Sequence, residues 1–304
     1  MPRKIKLILN PISNHGRAGG VADSLSGIVK EYGTLEWGRT THAGHTVELA
    51  RQASAEGCDL VVALGGDGTV HEVVNGLMQV PEKDRPALGV VPIGSGNDFA
   101  EYNHISFDPA QALRQALGGS PRHLDVARVT DEHGRSETFD NTIGIGFDAA
   151  VTIRSQRINF VHGFPMYLLA TLQTVAVNFD CIPMEIETDT ERWSQPTLML
   201  TVGNGQREGG GFFVTPEARM DDGLLHYATI GRIDRLTMLR IIPEVMKGTH
   251  ARFKQFRMGA CKTMSIRAEA PLCVHLDGEI YAGFDSNSRQ LKIEVLPAAL
   301  RLVC

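Results

Sequence analysis

The sequence predicts an α/β protein of two domains, an N-terminal α/β domain followed by a C-terminal β-sandwich. Its 304 residues suit about two domains, because a domain usually has roughly 100–200 residues. Residues 1–124 alternate strand-like and helix-like patterns, which is typical of an α/β layer. Residues 125–290 are mostly short apolar runs separated by turns, which favours a β-sandwich. Residues 291–304 hold a last strand-like run that pattern alone assigns to neither domain.

The first domain contains continuous apolar runs bounded by glycine or proline. Such runs suit strands that are buried on both faces of a parallel sheet, and helix-like periodicity follows them. The predicted strands cover residues 5–9, 60–64 and 87–91, and the predicted helices cover residues 21–32, 44–56, 69–78 and 108–117.

The second domain changes to short runs between turns. Met264, Ile266 and Ala268 alternate with polar residues, as in a half-buried strand. The predicted strands cover residues 125–129, 139–145, 184–187, 198–202, 225–230, 263–268, 272–276 and 291–296, and helices are predicted for 163–177 and 234–246.

Composition excludes several classes of protein. The net charge of −5 argues against a general nucleic-acid-binding surface. The longest apolar stretch, residues 166–179, is shorter than the roughly 20 residues that span a bilayer. The five cysteines are scattered and form no CxxC pair, which argues against a disulfide framework or a zinc site. We therefore expect a cytoplasmic protein with reduced thiols.

A glycine loop follows the strand predicted at residues 60–64. It reads Gly65-Gly66-Asp67-Gly68-Thr69 and leads directly into a helix. Glycines let a backbone approach a phosphate closely, and a helix N-terminus adds free N–H groups and a positive dipole. Asp67 would then face a phosphate or a bound metal ion. The alternative is a left-handed turn in which Asp67 is only a local cap.

Two more polar loops follow predicted strands. One covers residues 94–100, with Ser95, Asn97 and Asp98, and the other covers residues 10–17. In open α/β sheets, ligands bind at the carboxyl ends of strands, so the three loops together predict a binding site. The sequence has neither GxxxxGK[ST] nor GxGxxG, so a nucleotide would be bound by another arrangement.

Short motifs follow one another along most of the chain, at residues 10–11, 65–69, 92–99, 202–205, 209–211, 216–218, 221–225 and 277–279. In this order they resemble the diacylglycerol kinase catalytic-domain family, with its bacterial soluble lipid kinases and the related sphingosine and ceramide kinases. The resemblance implies an α/β nucleotide-binding domain similar to NAD kinase and phosphofructokinase, then a β-sandwich lipid-substrate domain. It also implies that residues 291–304 pack back on the first domain.

The resemblance implies ATP as the phosphoryl donor and Mg²⁺ at its phosphates, with Asp67 as the direct or water-mediated metal partner. Phosphoryl transfer depends chiefly on positioning and charge neutralisation, which this loop chemistry suits. The implied nucleotide contacts are Asn10, Thr41, Gly65, Gly66, Asp67, Gly68, Thr69, Glu72, Ser95, Asn97 and Asp98.

Two acidic turns carry the remaining implied roles. Glu279 matches the family's proton acceptor and is preferred over its neighbour Asp277, although both are candidate catalytic acids. Asp222 matches a structural Mg²⁺ ligand, together with the carbonyls of Arg219 and Leu224. Oxygen ligands suit Mg²⁺ or Ca²⁺ rather than zinc. In both places the alternative is an ordinary Asp-Gly turn.

A lipid substrate implies contact with a membrane surface. Residues 232–267 contain nine Lys or Arg and two acids, so this basic segment has a net charge of +7. It predicts peripheral contact with anionic lipid, and the alternative is a solvated basic face. Phe164, Met166 and Tyr167 would line an acyl-chain pocket or simply pack in a core.

The sequence thus predicts an Mg²⁺-dependent kinase that transfers the γ-phosphate of ATP to a lipid hydroxyl, of the diacylglycerol type. Two alternatives remain. One is an NAD kinase-like enzyme, because NAD kinases share Gly-Gly-Asp-Gly-Thr, and the other is a non-catalytic nucleotide sensor at the membrane. The acceptor lipid, any activator and the oligomeric state, a homodimer included, stay open.

Overall fold

The computed structural model describes residues 4–13, 18–32 and 35–304. The chain divides into two compact units. The first runs to Leu124 and takes in Ala298–Cys304, and the second is Asp125–Pro297. Every helix in the described ranges is too short or too polar to cross a bilayer.

The first unit is built on a parallel sheet with the strand order β2-β1-β3-β4. All residues of β1 and β3 are buried, as expected for strands that helices cover on both faces. The strands are β1 (Ile5–Leu9), β2 (Leu35–Arg39), β3 (Leu60–Gly65) and β4 (Ala87–Pro92), and the helices are α1 (Ala18–Glu31), α2 (His45–Ala55), α3 (Asp67–Met78), α4 (Asp98–Tyr102) and α5 (Pro109–Gly118).

The second unit is an antiparallel sandwich. Its strands are β5 (Pro121–Asp131), β6 (Ser136–Phe139), β7 (Thr142–Gly146), β8 (Ile182–Thr188), β9 (Arg192–Thr197), β10 (Met199–Gly203), β11 (Leu225–Ile230), β12 (Phe256–Cys261), β13 (Thr263–Ala268), β14 (Val274–Leu276), β15 (Glu279–Ala282) and β16 (Gln290–Val303). One sheet has the order β12-β11-β10-β7-β14-β15. The other contains β16-β13-β8-β9, with β5 and β6 attached through β16. Side chains of both sheets, such as Leu200 and Ile266, form one buried core.

Three helices belong to the second unit, α6 (Phe147–Ser155), α7 (Phe164–Val177) and α8 (Arg235–Met246). They enclose a separate hydrophobic cluster that includes Ala170 and Ile241. The final strand β16 leaves this unit, and its Leu302 pairs in parallel with Leu88 of β4 in the first unit. The predicted fold class, an α/β domain followed by a β-sandwich, is confirmed.

Two local predictions were wrong. The single strand predicted at residues 139–145 is two strands, β6 and β7, with a break at Asp140 and Asn141. The break occurs because the backbone N–H groups of Asp140, Asn141 and Thr142 all donate to the carboxylate of Asp277. Helix α6 was not predicted, because eight of its nine residues are buried and it therefore has no polar face.

Candidate active site

The two glycine loops of the first unit touch each other. A Cβ atom on Gly94 would lie 2.5 Å from Cα of Gly66, and one on Gly65 would overlap the Thr69 hydroxyl. The Asn97 side-chain amide holds the second loop, since it accepts from Gly94 N–H at 3.0 Å and donates to the Gly94 carbonyl at 2.9 Å. Glycine is therefore required here by close packing, and the loops lie at the same edge of the sheet.

Asp67 and Asp98 form an acidic pair at this edge. Oδ1 of Asp67 accepts a hydrogen bond from Phe99 N–H at 3.2 Å, and a Cβ on Gly96 would lie within 4 Å of both carboxylates. Burial, and next the charge of Asp98, raise the pKa of Asp67 to about 7. A divalent cation would relieve this repulsion, and carboxylate oxygens are ligands that Mg²⁺ accepts. The pair therefore fits a Mg²⁺ ion.

The loop after β1 reaches the same place. Nδ2 of Asn10 donates to the Thr69 hydroxyl at 3.4 Å, and the Ser13 hydroxyl lies 3.4 Å from the same oxygen. The side-chain oxygen of Asn10 also accepts from Ile12 N–H at 3.2 Å. Asn10 is thus part of the predicted constellation, whereas residues 14–17 of this predicted loop lie outside the described residues.

Thr41 and Glu72 are joined by the turn between β2 and α2. Oε1 of Glu72 accepts from Gly44 N–H at 3.3 Å, which ties α3 to this turn. The Thr41 backbone N–H donates to Nδ1 of His45 at 3.1 Å, and the rings of His42 and His45 stack 4.6 Å apart. The predicted nucleotide contacts that follow the four strands of the first unit therefore lie at one edge of its sheet. Ser95 and Gly68 belong to the two glycine loops at that edge.

In the second unit, Asp277 lies in the tight turn between β14 and β15, and Glu279 is the first residue after it. Asp277 has φ 51° and Gly278 φ 86°, which is the left-handed pair that a two-residue type I′ hairpin needs. The Asp277 carboxylate accepts three backbone N–H groups, from Asp140 at 3.0 Å and from Asn141 and Thr142 at 2.9 Å. Asp277 is buried and Glu279 is exposed, so the two acids have different environments.

The Asp222 turn is an Asx turn in which Oδ1 accepts from Leu224 N–H at 3.0 Å. Gly223 has φ 72°, and its N–H donates to Oδ2 of Asp125 at 2.6 Å. Nε of Arg219 donates to Asp221 at 3.3 Å. Asp125 is a carboxylate at this turn that the sequence analysis missed. The donor set is all oxygen, which suits Mg²⁺ or Ca²⁺.

Sequence reasoning also missed a buried cluster of Asp148, Glu208 and His275. Nε2 of His275 lies 3.7 Å from Oδ2 of Asp148 and 3.5 Å from Oε2 of Glu208. Hydroxyl groups support the acids, with Thr201 2.5 Å from Asp148 and Thr142 3.0 Å from Glu208. Burial by itself would raise the pKa of Asp148, but the neighbouring His275 and Glu208 outweigh it and lower that pKa.

This cluster is linked to the hairpin turn. The Gly278 N–H donates to Nδ1 of His275 at 3.3 Å, and Nε2 of the same ring faces the two carboxylates. The three ligand atoms lie within 4.8 Å of one another, close enough to hold a cation.

An apolar cavity of about 50 Å³ lies beside the cluster. Asp148 and Glu208 contribute its acidic wall. Tyr167 lines the cavity, while Phe164 and Met166 pack against the surrounding hydrophobic cluster, the alternative considered for these residues. The remaining lining is mostly apolar and comes largely from α6, α7 and α8, including Val151, Met238, Ile241, Ile242 and Val245.

Comparison with known proteins identifies the family of the chain. Residues 4–129 match the family model "Diacylglycerol kinase catalytic domain", and residues 141–304 match "YegS C-terminal NAD kinase beta sandwich-like domain". A protein of Pectobacterium atrosepticum named "Probable lipid kinase YegS-like" is 31% identical, over 97% of this chain and 93% of its own length. A protein of Mycobacterium tuberculosis named "Diacylglycerol kinase" is 29% identical, over 99% and 94%.

Solved structures support the same fold. The crystal structure of a diacylglycerol kinase from Bacillus anthracis has a TM-score of 0.73 at 20% identity, over 99% of this chain and 96% of that one. A second structure from that organism reaches a TM-score of 0.79 at 22% identity, over 99% and 97%. The resemblance stated from the motifs is confirmed, and the chain belongs to the diacylglycerol kinase and YegS-like family of ATP-dependent lipid kinases.

Proposed function

We propose that this chain transfers the γ-phosphate of ATP to a free hydroxyl of a diacylglycerol-type lipid, and that the transfer depends on Mg²⁺. The observation that carries the proposal is the Asp67–Asp98 pair beside the touching glycine loops. A cation would relieve the repulsion between two carboxylates held together, and the loops offer backbone N–H groups to phosphate. The family assignment supplies the lipid as the acceptor class.

The nucleotide role is assigned to residues 1–124. Phosphate oxygens would meet the N-terminus of α3 at Gly66 and Gly68, because N–H groups in the first turn of a helix have no carbonyl four residues back to pair with. Asn10, Ser95 and Asn97 would lie alongside, while Thr41 and Glu72 would contact another part of the nucleotide. Asp67 would hold Mg²⁺, which supplies charge neutralisation on the phosphate oxygens.

Glu279 would accept the proton from the lipid hydroxyl. The hydroxyl oxygen then bonds to the γ-phosphorus, the bond to the β,γ-bridging oxygen breaks, and ADP leaves with that oxygen. Glu279 is exposed, so a substrate hydroxyl can approach it, whereas Asp277 is buried and its carboxylate accepts three N–H groups. We therefore assign Asp277 a positioning role: it holds the turn on which Glu279 is carried.

Asp222 would hold a structural Mg²⁺ or Ca²⁺ with the carbonyls of Arg219 and Leu224. The Asx turn already orients one Asp222 oxygen, and Asp125 adds negative charge beside it. Such an ion would stabilise the second unit and would take no part in the phosphoryl transfer.

The lipid role is assigned to residues 125–290. Of the last fourteen residues, only Ala298–Cys304 belong to the first unit, and residues 291–297 stay with the second. The cavity among α6, α7 and α8 supports the lipid role, because an acyl chain needs an apolar environment. The lipid would be drawn from a membrane, so we propose transient contact of a cytoplasmic enzyme with the membrane surface.

The test is transfer of γ-labelled phosphate from ATP to diacylglycerol, monoacylglycerol, phosphatidylglycerol and sphingosine in mixed micelles. Parallel reactions contain NAD, no acceptor, or EDTA in place of Mg²⁺. Labelled diacylglycerol that disappears with EDTA is expected. Label on another lipid would correct the acceptor, label on NAD would overturn the lipid proposal, and ATP binding without any labelled product would favour a non-catalytic sensor.

A further inference from the structure

We propose that the outer faces of α7 and α8, at the ends where these helices meet, form the surface that rests on an anionic lipid bilayer. We call this surface the α7–α8 face and define it by Leu172, Val177, Leu236 and Leu239. The inference rests on the proposed function to the extent that the substrate is a membrane lipid. The inference goes further by naming the side chains that contact the membrane.

Helix α7 has an uncharged and partly exposed surface. None of its fourteen residues is charged. Leu172 is 44% exposed and Val177 is 62% exposed. Single exposed apolar residues are common on proteins, but a surface helix without any charge is not typical of a face that meets only water. This face therefore needs an apolar or interfacial partner.

Helix α8 presents leucines and cations on the same side. Leu236 is 69% exposed and Leu239 is 43% exposed. Arg235 and Arg240 are also exposed, and each is next to one of these leucines. Residues four apart lie on one helix face, so 235, 236, 239 and 240 form a single stripe. Leucine flanked by arginine is the pattern of a helix that lies in a membrane interface.

The exposed apolar residues of α7 and α8 lie close to a contact between the two helices. Nε of Arg235, at the start of α8, donates to the carbonyl of Val175 near the end of α7 at 2.9 Å. Leu172 and Val177 are within three residues of that contact on one side, and Leu236 and Leu239 are within four residues on the other. The exposed apolar side chains thus belong to a shared corner of the second unit.

The charge of this corner favours an anionic partner. Arg232, Arg235, Arg240 and Lys247 are exposed cations in and beside α8. Two of the nearby acids are engaged. Asp234 caps α8 by accepting from Thr237, and Glu244 pairs with Arg252 at 2.6 Å. Asp180 and Asp234 are exposed acids that keep their charge, and the four cations outnumber them. Anionic lipid headgroups match this balance.

The inner faces of the same helices line the apolar cavity, with Tyr167 and Thr171 on α7 and Met238 and Ile241 on α8. Its volume of about 50 Å³ is smaller than the roughly 150 Å³ that hold a benzene molecule in an engineered cavity. An acyl chain would fit only if these walls moved apart. A bilayer against the outer faces would therefore contact the same two helices whose inner faces line the cavity.

The experiment measures co-sedimentation of the full chain with vesicles, without ATP. One vesicle is phosphatidylcholine alone, and the other contains phosphatidylglycerol at about one quarter. The variants are Leu236→Ser/Leu239→Ser on α8 and Leu172→Ser/Val177→Ser on α7. Because all four side chains are exposed, both double variants should fold, which thermal unfolding checks. Phe107→Ser is the matched control, an exposed aromatic residue of the first unit.

We expect the wild type to bind the anionic vesicles at least tenfold more tightly than the neutral ones, and to lose this binding as salt is raised. Each double variant should lose at least tenfold, while Phe107→Ser behaves as the wild type. Unchanged vesicle binding by both double variants would overturn the proposal. So would a wild-type dimer that the same variants convert to monomer, because a second copy would then cover this face.

The vesicle experiment and a kinase assay together show which of the two proposals fails. Phosphorylation of diacylglycerol in detergent micelles is measured for the same proteins. If the chain has kinase activity but the double variants bind vesicles as the wild type does, only the proposal for the α7–α8 face is rejected. If the double variants lose vesicle binding and the wild type has no kinase activity, the α7–α8 face is supported and only the proposed function is rejected.

Discussion

Gly66 and Gly94 are in contact through their Cα atoms, so that two loops from neighbouring strands meet without any side chain between them. A Cβ on Gly94 would lie 2.5 Å from Cα of Gly66. The obstacle is backbone, which cannot rotate away as a side chain does. This contact brings the Asp67 loop and the Asp98 loop together, and it explains why both loops are rich in glycine.

Gly94→Ala should therefore separate the loops. We expect a loss of about 1–3 kcal/mol in the free energy of unfolding, which is typical of overpacking, and at least a tenfold loss of ATP affinity. Denaturant unfolding and nucleotide titration measure the two effects. The control is Gly20→Ala in α1, where a Cβ meets nothing within 4 Å and alanine should stabilise the helix slightly. Normal ATP affinity in Gly94→Ala would contradict the role of this contact.

Asp67→Asn should separate stability from activity. Burial and the charge of Asp98 raise the pKa of Asp67 to about 7. The folded protein therefore binds more protons than the unfolded chain, and stability falls as pH rises from about 4 to about 7. Without metal, the variant should melt about 2–4 °C higher than the wild type at pH 8, with a smaller difference at pH 5.

The same variant should have no measurable phosphoryl transfer, because it lacks the carboxylate that would hold Mg²⁺. For the wild type, activity should rise with pH up to about 7, as the proton leaves Asp67. More Mg²⁺ should move this rise to lower pH, since metal and proton compete for the same oxygens. A pH profile that does not respond to Mg²⁺ would argue against Asp67 as the metal partner.

Glu279→Gln and Asp277→Asn should fail in different ways. Glu279→Gln should abolish turnover while ATP affinity stays within a few-fold and the melting temperature is unchanged, because Glu279 is exposed. Asp277→Asn should cost about 1–3 kcal/mol of stability, because an amide replaces one of the oxygens that accept the three N–H groups. Glu269→Gln, an exposed acid of the same unit, is the control. Near-normal kcat in Glu279→Gln would show that another group accepts the proton.

His250 should make the protein less stable in mild acid. It is fully buried, neither ring nitrogen makes a side-chain hydrogen bond, and the ring packs 4.6 Å from that of Phe256. Burial lowers the pKa of His250 and outweighs the nearby backbone of Val214. A lowered histidine pKa means that stability is present above about pH 6.5 and is lost as pH falls below it.

We therefore expect unfolding at lower denaturant concentration at pH 5.5 than at pH 7.5. His250→Leu should reduce this difference, which is the informative comparison because other histidines titrate in the same range. An equal pH dependence in both proteins would show that His250 is not responsible.

Removal of divalent ions should lower stability through the Asp222 turn. At an ion concentration ten times the Kd, binding to the folded state alone contributes about 1.4 kcal/mol. EDTA should therefore lower the melting temperature of the wild type, and Mg²⁺ or Ca²⁺ should restore it. Asp222→Ala should melt at the lower temperature in both conditions. A response to EDTA that persists in Asp222→Ala would place the stabilising ion elsewhere.

Local patterns were sufficient to predict the architecture and the glycine loops that meet at one edge of the first sheet. The buried runs of β1, β3 and β4 and the glycine loops after them are contiguous in the chain, and the carboxyl ends of parallel strands meet at one edge. The order of the motifs was also enough to identify the family, which the comparisons confirm.

Only the tertiary structure decided the other features, because they depend on residues far apart in sequence. His275 is 67 residues from Glu208 and 127 from Asp148, so no local pattern connects the three. Helix α6, which carries Asp148, has no polar face by which periodicity could reveal it. The sequence also treated Asp277 and Glu279 as a pair. Folding distinguishes them, because one carboxylate is buried and accepts three N–H groups while the other belongs to an exposed residue.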